Sequence, residues 1–63
     1  MQKISLKAAR VNADLTQKEA AKLLEVSKKT LQNWESHKTM PRTDKITTIC
    51  KLYKIEYDCI KWG

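Results

Sequence analysis

A 63-residue chain makes one domain with little room for both a core and an enclosed substrate pocket, since folding at this size buries only about 60% of the unfolded surface. Thirteen Lys and Arg against seven Asp and Glu leave a formal charge of +6, which points to a polyanion as partner, either nucleic acid or an anionic membrane surface. A hydrophobic content of 41% excludes a disordered chain, and no apolar run approaches the roughly 20 residues that cross a bilayer.

The first predicted helix runs from about Ser5 to Val11, with Ser5 as its cap and Leu6, Ala9 and Ala13 recurring at three- and four-residue steps. Asn12-Ala13-Asp14-Leu15 then turns the chain. Thr16-Gln17-Lys18-Glu19 is a capping box, in which Thr16 and Glu19 satisfy each other's backbone N–H groups, and Ala20, Ala21 and Leu24 form the inward stripe of the second helix. Glu25-Val26-Ser27 is a short break, and Ser27 caps a third helix from Lys28 to about Glu35. Ser36 to Pro41 reads as a polar loop. Thr43 is expected to cap a fourth helix, whose Ile46, Ile49, Cys50 and Tyr53 follow the spacing of a core-facing stripe. A last helical turn over about Tyr57 to Lys61 adds Cys59 and Ile60. Strand-like alternation is absent, and the expected fold is all-α, a compact bundle of five short helices forming a single domain over 1–63.

The functional signal lies between residues 17 and 35. Two short helices joined by about three residues make a helix-turn-helix. Such a corner requires a small residue at Ala21, where the third helix crosses close by. It also requires apolar residues at Leu24, Val26, Leu31 and Trp34, which form the core beneath it. All five requirements are met. At about 100° per residue, Leu31 and Trp34 face one side of the third helix while Lys28, Lys29, Gln32 and Asn33 spread over the opposite arc. That arc holds long or forked hydrogen-bonding side chains and no carboxylate. Lysine can donate to guanine O6 and N7, and Gln or Asn can pair bidentately with adenine, so these four are the expected base readers in a major groove. The segment from Lys28 to Lys45 also concentrates charge, with Lys28, Lys29, Lys38, Arg42 and Lys45 against Glu35 and Asp44.

The run from Leu15 to Glu35 resembles the phage lambda-type repressor and Cro family, also called xenobiotic-response-element-like regulators, and the likeness extends through Pro41 to Ile60. Glu25 departs from the pattern, standing where the family often has a glycine with positive φ. The resemblance implies a sequence-specific transcriptional regulator of duplex DNA, a repressor in most such proteins. It further implies that Gln17 hydrogen-bonds a phosphate beside the exposed N–H groups of its helix, and that Ser27 and Thr30 reach phosphates too. Lys38 and Arg42 would contact phosphates after the reading helix, with a minor-groove reach as the alternative for Arg42. Arg10 and Glu35 would form an ion pair tying the first helix to the end of the third. Two-fold homodimers on a pseudo-palindromic operator are expected, joined through the C-terminal helices from about Tyr53 to Trp62. Trp62, next to a chain end, reads as an ordering anchor, a dimer contact or an exposed side chain, the dimer contact being the first choice.

No nucleophile stands near a base at motif spacing, and no Gly-rich phosphate loop exists, so an enzyme is not expected, nor any cofactor. One histidine, His37, and no Cys-x-x-Cys pair argue against a metal site. Cys50 and Cys59 are expected as reduced core thiols, a disulfide between them staying open, in a cytoplasmic protein of prokaryotic or phage origin. The chain is either a complete Cro-like protein or the N-terminal piece of a longer one. The competing function is a protein-interaction or antitoxin-like module that keeps the helix-turn-helix as scaffold and shows an apolar patch outside the core.

Overall fold

The computed structural model describes residues 3–62. Four α-helices succeed one another: α1 over Leu6–Asn12, α2 over Gln17–Leu23, α3 over Lys28–Glu35 and α4 over Thr43–Tyr53. Local chemistry starts three of them. Ser5 Oγ accepts the Ala8 N–H at 3.0 Å, and Ser27 Oγ accepts the Thr30 N–H at 3.1 Å. Thr16 and Glu19 complete a reciprocal box, with Thr16 Oγ1 accepting the Glu19 N–H at 3.1 Å and Glu19 Oε1 accepting the Thr16 N–H at 3.0 Å. The expected Thr43 cap is not found. Arg42 precedes α4 in extended conformation, no side chain caps the helix, and Thr43 is already helical.

All four helices stop in one way. A non-glycine residue takes positive φ just beyond or at each end: Asp14 at 60°, Glu25 at 59°, His37 at 65° and Lys54 at 54°. The next residue's N–H then reaches back five positions, Leu15 to Arg10, Val26 to Ala21, Lys38 to Asn33 and Ile55 to Cys50, at 3.2, 3.0, 2.9 and 3.1 Å. This is the Schellman arrangement, which gives partners to carbonyls the helix would leave open. In three of the four, the residue that reaches back is apolar (Leu15, Val26, Ile55) and packs on the core, so tertiary burial offsets the left-handed backbone. Glu25 therefore keeps the conformation that the family glycine would supply, at a strain of about 1–2 kcal/mol.

The fifth helix is not formed. Tyr57–Cys59 make one 3-10 turn, and the chain then extends as Ile60–Lys61. This segment, β2, pairs in parallel with Ile4–Ser5, β1, bringing Ile4 opposite Ile60 and Ser5 opposite Lys61. Ile60 is 0% exposed, so the extended backbone seats its side chain in the core while the pairing satisfies polar groups that a single helical turn would leave open.

One core unites the elements: Leu6 and Ala9 of α1, Ala20, Ala21 and Leu24 of the α2 region, Leu31 and Trp34 of α3, Ile49 and Tyr53 of α4, and Ile60. Ala20 and Ala21 carry only methyl groups at the α2–α3 crossing. Leu31 can therefore approach until it is 0% exposed, a burial worth about 1.5–3 kcal/mol. Val26 and Ala13 are half-buried at its edge.

Candidate nucleic-acid interface

With Leu31 and Trp34 buried, α3 turns its other residues outward. Lys28, Lys29 and Gln32 are exposed, and Asn33 and Thr30 are half-buried. Ser27 Oγ and Thr30 Oγ1 lie 2.9 Å apart, so one hydroxyl proton sits between them and one is left to donate elsewhere. Lys38 and Arg42 are exposed in the segment joining α3 to α4. Gln17 and Lys28 line one open groove, in which the structure also places Lys7 and Lys18 beside Asp14. Sequence reasoning did not single out these two lysines, since α1 and the start of α2 come together with α3 only in the folded chain. Arg42 lies apart, in a second groove with Met40, Ile46, Cys50, Lys51 and Tyr57.

Beneath α3 lies a hydrogen-bonded network. Arg10 is 7% exposed; its Nε donates to Glu35 Oε2 at 2.7 Å and its Nη1 to the Leu15 carbonyl at 2.8 Å. Glu35 Oε1 accepts from Gln17 Nε2 at 2.9 Å, and Gln17 Oε1 accepts from Gln32 Nε2 at 3.4 Å. Thus Arg10 and Glu35 are joined inside the domain, and Gln17 is held by the end of α3 while lining the outer groove.

Lys45 has a different place from the one its position in the basic segment implied. Its Nζ donates to the Leu24 carbonyl at 2.7 Å. A cation at the C-terminal end of α2 satisfies an open carbonyl and meets the negative end of the helix dipole. Lys45 therefore braces the turn of the helix-turn-helix against α4. Tyr53 Oη is buried with no hydrogen-bond partner among the described residues. Burial chiefly, and then the Glu35 carboxylate, push its phenol up to about 12, while Arg10 pulls the other way. The Glu19 carboxyl is held below its ordinary value by the Thr16 backbone N–H and hydroxyl of the capping box.

The C-terminal surface also differs from expectation. Tyr53 and Ile60 are core residues, and Trp62 is tied within its own chain, Nε1 donating to the Tyr57 carbonyl at 3.1 Å with the two rings stacked 5.5 Å apart. Met40 and Tyr57 stay exposed at 53% and 49%, along the second groove. Cys50 and Cys59 are free thiols, half-buried rather than fully enclosed, and burial raises the Cys50 thiol. Among the described residues, no helix is long and apolar enough to cross a membrane, and no three His, Cys, Asp or Glu side chains gather into a group fit for a metal.

A four-residue connection, 24–27, between two helices packed through alanines, with the polar side of the third helix turned outward, defines a helix-turn-helix domain. The helix-turn-helix family model matches residues 6–58, most of the chain, and the protein belongs to this family of lambda repressor and Cro type. Over 34 residues, 54% of its length, the chain is also 59% identical to the type II methyltransferase M.MspI of Moraxella sp. It spans only 8% of that much longer protein. No solved structure matches the chain.

Proposed function

We propose that the domain is a sequence-specific duplex-DNA-binding transcriptional regulator, a repressor, that lays α3 in the major groove. One observation carries this reading. The outward face of α3 presents Lys28, Lys29, Gln32 and Asn33, with no exposed apolar side chain, while Leu31 and Trp34 on the other side are locked into the core. Such a face offers donors and amides to base edges and little to a protein surface. Gln17, Ser27, Thr30, Lys38 and Arg42 supply phosphate contacts that set the register of α3, and the Arg10–Glu35 pair holds the helix from below. Repression follows from occupancy, since a bound domain occludes a promoter or blocks polymerase. The protein acts in the cytoplasm, where it meets the DNA.

Two copies bind a pseudo-palindromic operator, with reading helices about 34 Å apart. Their contact surface is displaced from the Tyr53 to Trp62 segment that the sequence implied. Tyr53, Ile60 and Trp62 are committed within one chain, which leaves the exposed Met40 and Tyr57 on the second groove. The same apolar groove is what favours the interaction-module reading, and the two are separated by DNA selection.

Binding the domain to a pool of randomised duplexes near physiological salt should enrich a motif with two related half-sites. A pool that stays random would refute the regulator. Lys29→Ala should lower affinity for the enriched site by about 1–3 kcal/mol and relax one base position, whereas Lys38→Ala should weaken all sequences alike and lower the salt slope by about one unit.

A further inference from the structure

The second groove has one face of α4 as its floor. Thr43, Ile46, Thr47, Cys50 and Lys51 stand at the i, i+3, i+4, i+7 and i+8 positions, so they follow one another along the helix for two turns, roughly 12 Å. Ile46 and the Cys50 thiol are only half-buried there, and Met40 from before α4 and Tyr57 from after it line the same groove while staying exposed. Tyr57 is already held in place, stacked on Trp62 with the ring centroids 5.5 Å apart, so little side-chain freedom remains to be lost on contact. Arg42 stands at the start of this floor and Lys51 at its end, and no carboxylate lines the groove. Both cations are exposed, and the one ion pair among the described residues is Arg10–Glu35, so neither has a carboxylate partner there.

We infer that this groove docks an amphipathic helix of a partner protein, its apolar stripe flanked by Asp and Glu, and that the docked helix competes with DNA for Arg42. The competition rests on the DNA-binding reading above, in which Arg42 holds a phosphate; the docking does not. Shape argues for a helix. The groove is open along its length, whereas a small-molecule site encloses most of its ligand. A partner helix offers anchors at the same three- and four-residue steps that the floor presents, and two turns of it match the apolar stretch. Charge argues for an acidic one, since Arg42 and Lys51 flank the apolar floor and meet no carboxylate of their own chain. A second copy of this chain fits less well in the absence of DNA. A two-fold contact sets the patch against itself, cation against cation, between two chains that each carry +6. On an operator the phosphates offset that repulsion, so the paired copies and the acidic helix occupy the groove in turn. Docking therefore removes both a phosphate contact and the contact between copies, and the partner acts as an antagonist of DNA binding.

The probe is a displayed library of single helices randomised along one face, selected on the DNA-free domain near physiological salt. Selected helices should carry an apolar stripe with Asp and Glu beside it. The double variant Arg42→Glu, Lys51→Glu alters two exposed side chains and should keep its fold by circular dichroism. It should bind those helices about tenfold more weakly and, used as bait itself, enrich Lys and Arg in place of the acids. Met40→Ser with Tyr57→Ser should abolish the selection. Helices without an acidic bias, or a bias that survives the charge reversal, would overturn the charge argument. A loss caused by Lys28→Glu with Lys29→Glu would place the helix on α3 and refute the groove. Sedimentation of the free domain should give a single copy; a DNA-free dimer dispersed by Tyr57→Ser would assign the groove to a second copy instead. At saturation, a selected helix should weaken binding to an enriched duplex by about tenfold, and unchanged affinity would refute the competition. A domain that enriches no duplex would remove the regulator reading, and the helix selection, which uses no DNA, would still decide the docking.

Discussion

Arg10→Met gives the sharpest test of how this small domain is held together. The side chain lengths are comparable, so the variant removes charge and hydrogen bonds rather than much volume. Left behind are Glu35, with a side chain only 6% exposed, and the Leu15 carbonyl, which accepts from Arg10 at 2.8 Å. Gln17 still donates to Glu35, but one amide N–H does not neutralise a sheltered carboxylate. Removing one partner of a buried ion pair costs about 3–5 kcal/mol. A 63-residue domain has a total stability of only about 3–9 kcal/mol at typical values per residue. Arg10→Met should therefore be largely unfolded or melt roughly 15–30 °C lower, read as ellipticity at 222 nm against temperature and urea. The double variant Arg10→Met, Glu35→Leu should recover most of the loss, because it exchanges the uncompensated charge for apolar contact. A single variant that loses less than about 1 kcal/mol, or a double variant weaker than the single, would refute this account of the pair.

Glu25→Gly should raise stability by roughly 0.5–1 kcal/mol in urea titration, since relief of left-handed strain at φ 59° outweighs the added freedom of the unfolded chain; a loss would show that Glu25 is not strained. Lys45→Met should destabilise by about 1–2 kcal/mol by opening the Leu24 carbonyl, and it should leave the salt slope of DNA binding unchanged, because that ammonium is turned inward at 2.7 Å. A slope lowered by a full unit would put Lys45 on a phosphate instead. Tyr53 retains its proton in the folded state up to about pH 12, above the ordinary value of 10, so the stability it contributes is present below pH 10 and disappears as pH rises from 10 to 12. Tyr53→Phe should remove that component of the alkaline loss and, having lost only an unpartnered hydroxyl, should match or exceed the parent at neutral pH. A Phe variant with an unaltered alkaline profile would refute the assignment.

Features decided within a few residues of each other are written plainly in this chain. Ser5, Thr16 with Glu19, and Ser27 start their helices because each cap needs only its own next three residues. The division of α3 into a buried side and a polar side follows from helical period alone, so the candidate reading face was legible before any tertiary contact was known. Helix ends were harder, because the usual glycine is absent: Asp14, Glu25, His37 and Lys54 accept positive φ, and it is the burial of Leu15, Val26 and Ile55 that offsets it in three of the four cases. Only the assembled fold could bring Ile60 beside Ile4. Two-residue strands have no period to read, and their pairing is favoured by a core built from every helix. The same holds for the inward turn of Lys45 and for the chain of bonds from Arg10 to Gln32. A long polar side chain reaches several angstroms in any direction, and which acceptor it finds depends on what packing has set within that reach.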